Sequence, residues 1–126
     1  MVLERIHHIA IIVSDYETAR EFYVDKLGFS VIRDNSRPDR DDRKLDLRCG
    51  GSELEIFVKK DAPPRVSGPE ALGLRHLAFR VERIEDVVRE LEEKGIPCEP
   101  IRRDGFTGEK MTFFRDPDGL PLELHE

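Results

Sequence analysis

Residues 1–58 and 69–126 carry one pattern twice, which restricts the fold to one built from two matching modules. His8 opens the apolar run R-I-H-H-I-A-I-I-V, and His76 opens L-R-H-L-A-F-R-V. A carboxylate sits in a later apolar run of each half: Glu55 in E-L-E-I-F-V and Glu123 in P-L-E-L-H. His8 and Glu55 are 47 positions apart, as are His76 and Glu123, and the two pairs are offset by 68. Unrelated surface residues have no reason to keep one spacing twice.

The local patterns give each half the same order of elements. In the first half, Ile6–Val13 is short, apolar and β-branched, as a strand is. Asp15 is a plausible N-cap, and Ala19, Phe22, Tyr23 and Leu27 recur at helical spacing up to the stop at Gly28. Phe29–Arg33 returns as a strand, and the charged stretch Asp34–Arg43 reads as a solvated loop. Strands at Lys44–Cys49 and Glu53–Val58 follow, joined through Gly50-Gly51. In the second half, Arg75–Val81 is a strand, and Ile84, Val87, Val88 and Leu91 form one helical face closed by Gly95. Ile96–Ile101, with Pro97 and Pro100, reads as an edge strand. Lys110–Arg115 and Leu120–His125 make a hairpin around Asp-Pro-Asp-Gly. The expected fold is α+β: two paired β-α-β-β-β modules forming a cupped, partly closed mixed sheet with the helices outside. The modules span about 1–60 and 74–126, and a Pro- and Gly-rich linker covers about 61–73.

Strand alternation tests whether the repeated polar residues face one side. Ile9, Ile11 and Val13 share one face and His8, Ala10 and Ile12 the other. Leu54, Ile56 and Val58 share a face, as do Leu122 and Leu124, so Glu55 and Glu123 project opposite them. Each half thus offers one imidazole and one carboxylate from the face its own helix leaves uncovered. A lone histidine or glutamate on a strand is ordinarily structural or solvated. Burying two carboxylates near each other without a cation is costly, however, so the joint pattern predicts a metal site of His8, Glu55, His76 and Glu123. An N2O2 set without thiolate suits Ni, Co, Mn, Fe(II) or Zn. His7 points to the other face of its strand by alternation and has Arg75 as its counterpart, so it reads as structural or exposed. His125 shares a face with Glu123 and is a candidate cavity residue.

Bulk composition narrows the partners. Charged residues make up 38% of the 126 residues and the formal net charge is −6, which argues against nucleic acid as the main ligand. The basic cluster Arg37–Lys44 is interrupted by Asp39, Asp41 and Asp42, as a solvated segment would be. There is no apolar signal segment or membrane-spanning run, and Cys49 and Cys98 have no metal-binding spacing. A cytoplasmic protein acting on a small molecule, without nucleic-acid or membrane partners, is the expectation.

The segments H-H-I-A-I-I-V-S-D, E-F-Y-V-D-K-L-G-F, L-R-H-L-A-F-R-V and D-P-D-G-L-P-L-E-L resemble the vicinal oxygen chelate superfamily. Its members include glyoxalase I, extradiol dioxygenases, methylmalonyl-CoA epimerase, and fosfomycin- and bleomycin-resistance proteins. The resemblance covers nearly the whole chain and is strongest to small bacterial glyoxalase-like proteins. It implies paired modules around a divalent metal and places His8, Glu55, His76 and Glu123 at the four ligand positions of glyoxalase I. Extradiol and fosfomycin-resistance members typically use two His and one Glu, and the epimerases usually carry Gln where this chain has Glu55. The implied activity is a metal-dependent, lactoylglutathione lyase-like lyase or isomerase working through an enediolate, with Glu123 as base and Glu55 as ligand or second proton carrier. The alternatives are a non-catalytic ligand-binding or resistance protein and an Fe(II) ring-cleaving dioxygenase. Ile12 and Lys59 depart from the Arg and Asn common in glutathione-dependent members, which argues against glutathione. Arg80, four beyond His76, is a candidate contact for a substrate anion, with Lys59 and His125 as further candidates. The resemblance also implies a homodimer.

Overall fold

In the computed structural model the described residues are 1–37, 39 and 42–126, the side chains of 37 and 42 excepted. Of the segment read above as a solvated loop, residues 38, 40 and 41 lie outside the described residues. The chain resolves into two compact units, Met1–Pro63 and Pro64–Glu126. It is α+β, and each unit runs β-α-β-β-β. No helix among the described residues is long and apolar enough to cross a membrane.

The first unit contains β1 (His8–Val13), α1 (Tyr16–Arg20) continuing as a π-helical segment (Glu21–Lys26), β2 (Val31–Arg37), β3 (Asp42–Cys49) and β4 (Ser52–Val58). Its sheet has the order β1-β4-β3-β2, with β1 and β4 parallel and the other pairs antiparallel. Asp15 caps α1 as expected, its carboxylate accepting the Thr18 N–H at 2.9 Å, and this lowers the Asp15 pKa from 3.8. Ala19, Phe22, Tyr23, Leu45, Leu47, Leu54 and Ile56 are buried and make the core.

The Asp34–Arg43 stretch corrects the sequence reading, because β2 extends to Arg37 and β3 begins at Asp42. Asp34 and Arg43 pair across the strands and onto the helix. Arg43 Nε lies 3.7 Å from Asp34 Oδ1 and its guanidinium covers the Tyr16 ring at 3.1 Å, while the Tyr16 hydroxyl donates to Asp34.

The second unit contains β5 (Leu77–Arg80), α2 (Ile84–Glu93), β6 (Arg102–Arg103), β7 (Lys110–Arg115) and β8 (Pro121–His125). Its sheet order, β5-β8-β7-β6, repeats that of the first. The core is Leu77, Ile84, Leu91, Ile96, Phe114, Leu122 and Leu124. Arg83 provides no side-chain cap for α2; the Glu126 carboxylate accepts the Ile84 N–H instead, at 2.9 Å. The expected edge strand over 96–101 is absent, and only β6 forms beyond it. Pro97 and Pro100 have no N–H to donate. Glu99 ties this segment to β7, through Glu99 N to the Phe113 carbonyl (2.9 Å) and Thr112 Oγ1 to the Glu99 carbonyl (2.7 Å).

The two hairpins differ by one residue. Asp46 faces Glu55 across β3 and β4, whereas Phe113 faces Glu123 across β7 and β8. Counted between matched partners, the second connection is one residue longer, so the offset of 68 that holds for the ligands becomes 67 on the neighbouring strand.

Candidate functional site

In the first unit the parallel pairing of β1 and β4 sets Ala10 against Glu55, and their common ligand face brings His8 beside that carboxylate. His8 Nε2 lies 3.4 Å from Glu55 Oε2. The Glu55 side chain is only 12% exposed. His7 departs from the alternation reading because it precedes the strand: its Nδ1 meets His8 Nδ1 at 2.9 Å, and the two rings meet edge to face.

In the second unit His76 Nε2 lies 2.8 Å from Glu123 Oε2, and the Glu123 side chain is 9% exposed. His76 sits one residue before β5, and Phe113 supports its ring edge to face at 5.1 Å between centroids. The structure therefore joins the sequence-derived residues as two pairs, one in each unit. Among the described residues, no three His, Cys, Asp or Glu side chains form a metal-holding group.

A charged network missed by the sequence reading surrounds Glu55. Lys44 Nζ lies 2.8 Å from Glu55 Oε1 and 3.4 Å from Oδ1 of the fully buried Asp46. Arg33 bonds Asp46 Oδ2 at 2.8 Å and Glu53 Oε2 at 2.6 Å. The result is a continuous chain of polar contacts, Glu53–Arg33–Asp46–Lys44–Glu55–His8. The hydrogen bond to Glu55 is the main reason that the Lys44 pKa is raised, so its ammonium is retained. The signal was present in K-L-D-L: Leu45 and Leu47 alternate into the core, which sends Lys44 and Asp46 to the ligand face. In the second unit the register puts Met111 and Phe113 at these two positions.

The other candidate contacts have separate surroundings. His125 has both ring nitrogens engaged, Nε2 with Asp104 Oδ2 at 3.1 Å and Nδ1 with the Glu126 carbonyl at 2.7 Å, which raises its pKa. Arg80 and Lys59 are exposed, and the Lys59 backbone N–H donates to the Val13 carbonyl. A cavity of about 410 Å³ in the second unit is lined by His76, Phe113 and arginines that do not include Arg80.

The donor set fits a divalent metal. In both units an imidazole nitrogen and a carboxylate oxygen are directed at each other on largely buried glutamates, where a shared cation would bind both. Burial pushes the Cys49 and Cys98 thiols up, so neither adds a thiolate. The family model for the Glyoxalase/Bleomycin resistance protein/Dioxygenase superfamily matches residues 5–124. The chain belongs to this superfamily. It is similar to the crystal structure of a glyoxalase family protein from Enterococcus faecalis, with 61% identity, all of both chains covered and a TM-score of 0.94. The uncharacterized protein YwkD of Bacillus subtilis is 57% identical over 100% of this chain and 99% of its own length. Methylmalonyl-CoA epimerase of Bos taurus is 29% identical over 98% of this chain and 75% of its own length. Relatives of this superfamily chain thus include a metabolic enzyme.

Proposed function

We propose that this protein is a metal-dependent lyase or isomerase of the glyoxalase I type, acting on a small vicinally oxygenated metabolite. His8, Glu55, His76 and Glu123 are the residues that would hold the ion. The supporting observation is the repeated approach of Nε2 to Oε2 in both units, with the same sequence spacing. When bound, a divalent ion polarises substrate oxygens and stabilises the negative charge that develops on them.

The chain's own residues then divide the work. Lys44 pins Oε1 of Glu55, fixing that carboxylate as a ligand. Glu123 has Met111 where the first unit has Lys44, so no ammonium pins its carboxylate from that position. Glu123 accordingly serves as the base that removes a proton next to a carbonyl, and the neighbouring His76 holds it in place. The protein is read as a cytoplasmic homodimer without nucleic-acid or membrane partners.

Metal titration of purified protein, followed by turnover assays on methylglyoxal with and without several thiols, tests this reading. One tightly bound divalent ion is expected, lost in the His8→Ala/His76→Ala variant, together with isomerisation of an α-oxoaldehyde or its thiol adduct. Metal binding without turnover on any such substrate would instead assign a ligand-binding role. Absence of metal binding would remove the site itself.

A further inference from the structure

The cavity of the second unit contains more positive charge than its carboxylates neutralise. Four arginines line it, at positions 65, 75, 102 and 115, with two glutamates, Glu70 and Glu99. Glu70 is committed to Arg75, whose Nε bonds both of its oxygens at 3.1 and 2.8 Å. This bonding lowers the Glu70 pKa. Arg102 and Arg115 share Glu99 at longer range, with Arg102 Nη1 3.3 Å from Oε1 and Arg115 Nη2 3.7 Å from Oε2. Arg65 instead donates to the carbonyls of Leu74 and Arg75 at 3.1 and 2.7 Å, and its buried Nε has no hydrogen-bond partner. Two guanidinium charges therefore exceed the carboxylates in a protein whose formal net charge is −6.

The remaining chemistry matches this excess. A guanidinium offers parallel N–H donors in a planar fork that fits two oxygens of one carboxylate or phosphate. The Arg102 guanidinium lies 5.6 Å from the centroid of the Phe113 ring, which backs it and leaves its N–H edge to donate. A cavity of about 410 Å³ is at the small end of the range for metabolite sites. His76 is in the same wall.

We propose that this cavity binds the oxyanion end, carboxylate or phosphate, of a small metabolite, with Arg65, Arg102 and Arg115 as its specificity-determining residues. The proposal rests on the metal-centred reading only in directing the substrate's reactive end toward His76. The anion site itself depends on the arginines. It adds an anionic end, such as the carboxylate of a thiol adduct or a phosphate ester, to the oxygenated substrate, and gives its recognition to residues other than Arg80.

Calorimetric titration of the full-length, chelator-treated protein with inorganic phosphate and, separately, malonate tests the site at low ionic strength. Saturable binding of at least one probe is expected. The preferred probe distinguishes a phosphorylated substrate from a carboxylated one. Arg65 also secures backbone carbonyls, so the decisive variant is Arg102→Gln/Arg115→Gln, at two half-exposed positions, with its fold checked by circular dichroism. Binding should weaken about tenfold or more in it and recover partly in Arg102→Lys/Arg115→Lys, which restores charge without the fork. Failure of both probes to bind, or wild-type affinity in the Gln variant, would overturn the proposal. Metal titration of the same samples separates the two readings. Intact metal binding without anion binding sinks the anion site alone, whereas anion binding without metal binding supports it and sinks the metal centre.

Discussion

The two units share a topology and place a His/Glu pair on corresponding strands, yet they surround those pairs differently. The first unit lays an ionic chain against its glutamate, with Asp46 buried between Arg33 and Lys44. The second puts Met111 and Phe113 at the matching positions and keeps its charges for an arginine-lined cavity. A carboxylate held by a fixed ammonium suits a permanent ligand, and the second carboxylate has an imidazole and, across the strands, an aromatic ring instead. The repeat supplies matching donors, and their surroundings differ.

The largest effect expected from this contrast is catalytic. On the proposed mechanism, Glu123→Gln lowers turnover by roughly a thousandfold, whereas Glu55→Gln mainly weakens metal affinity and reduces turnover much less. Parallel measurement of kcat and metal Kd in the two variants would break the comparison if both changed alike.

The next contrast is in stability. Asp46→Ala leaves Arg33 and Lys44 without their common partner and should cost about 3 kcal/mol. Phe113→Leu, at the matching position, should cost about 1 kcal/mol. Urea unfolding of both variants decides whether the ionic chain supports the first unit. Equal losses would mean that it does not.

The smallest effect concerns the cap that α1 takes from its own N-cap residue, where α2 takes Glu126 instead. The folded pKa of Asp15 lies below 3.8, so its contribution is present above that pH and is lost as pH falls through the lowered value. Asp15→Ala should remove this acid-side loss, and Asp15→Asn should keep a cap without the pH dependence. Thermal melts from neutral to acidic pH check this.

Much of this architecture was legible because its signals are periodic. Apolar alternation marked β1, β4 and β8, and the equal spacing of His8/Glu55 and His76/Glu123 survived folding as two real contacts. The misread segments owe their structure to partners distant in sequence. Asp34 and Arg43 look like a solvated run until a strand register and the Tyr16 ring bring them together. Pro97 and Pro100 interrupt a run whose apolar content suggested a strand. Lys44 was absorbed into a basic cluster, although the alternation of K-L-D-L marked its face. Arg65 fell within a segment read only as a linker, where composition says nothing of a cavity.

The extra residue in the second hairpin turn has a consequence for how the two copies could diverge. Counted at the spacing that matches the ligands, Asp46 corresponds to Phe114, a core residue, while its true neighbour across from Glu123 is Phe113. The turn takes up the extra residue, so Leu45 and Leu47 still match Thr112 and Phe114 on the inward face, opposite the same partners in β4 and β8. What differs is the ligand face, where Met111 and Phe113 stand in place of Lys44 and Asp46 beside a His/Glu pair of unchanged spacing.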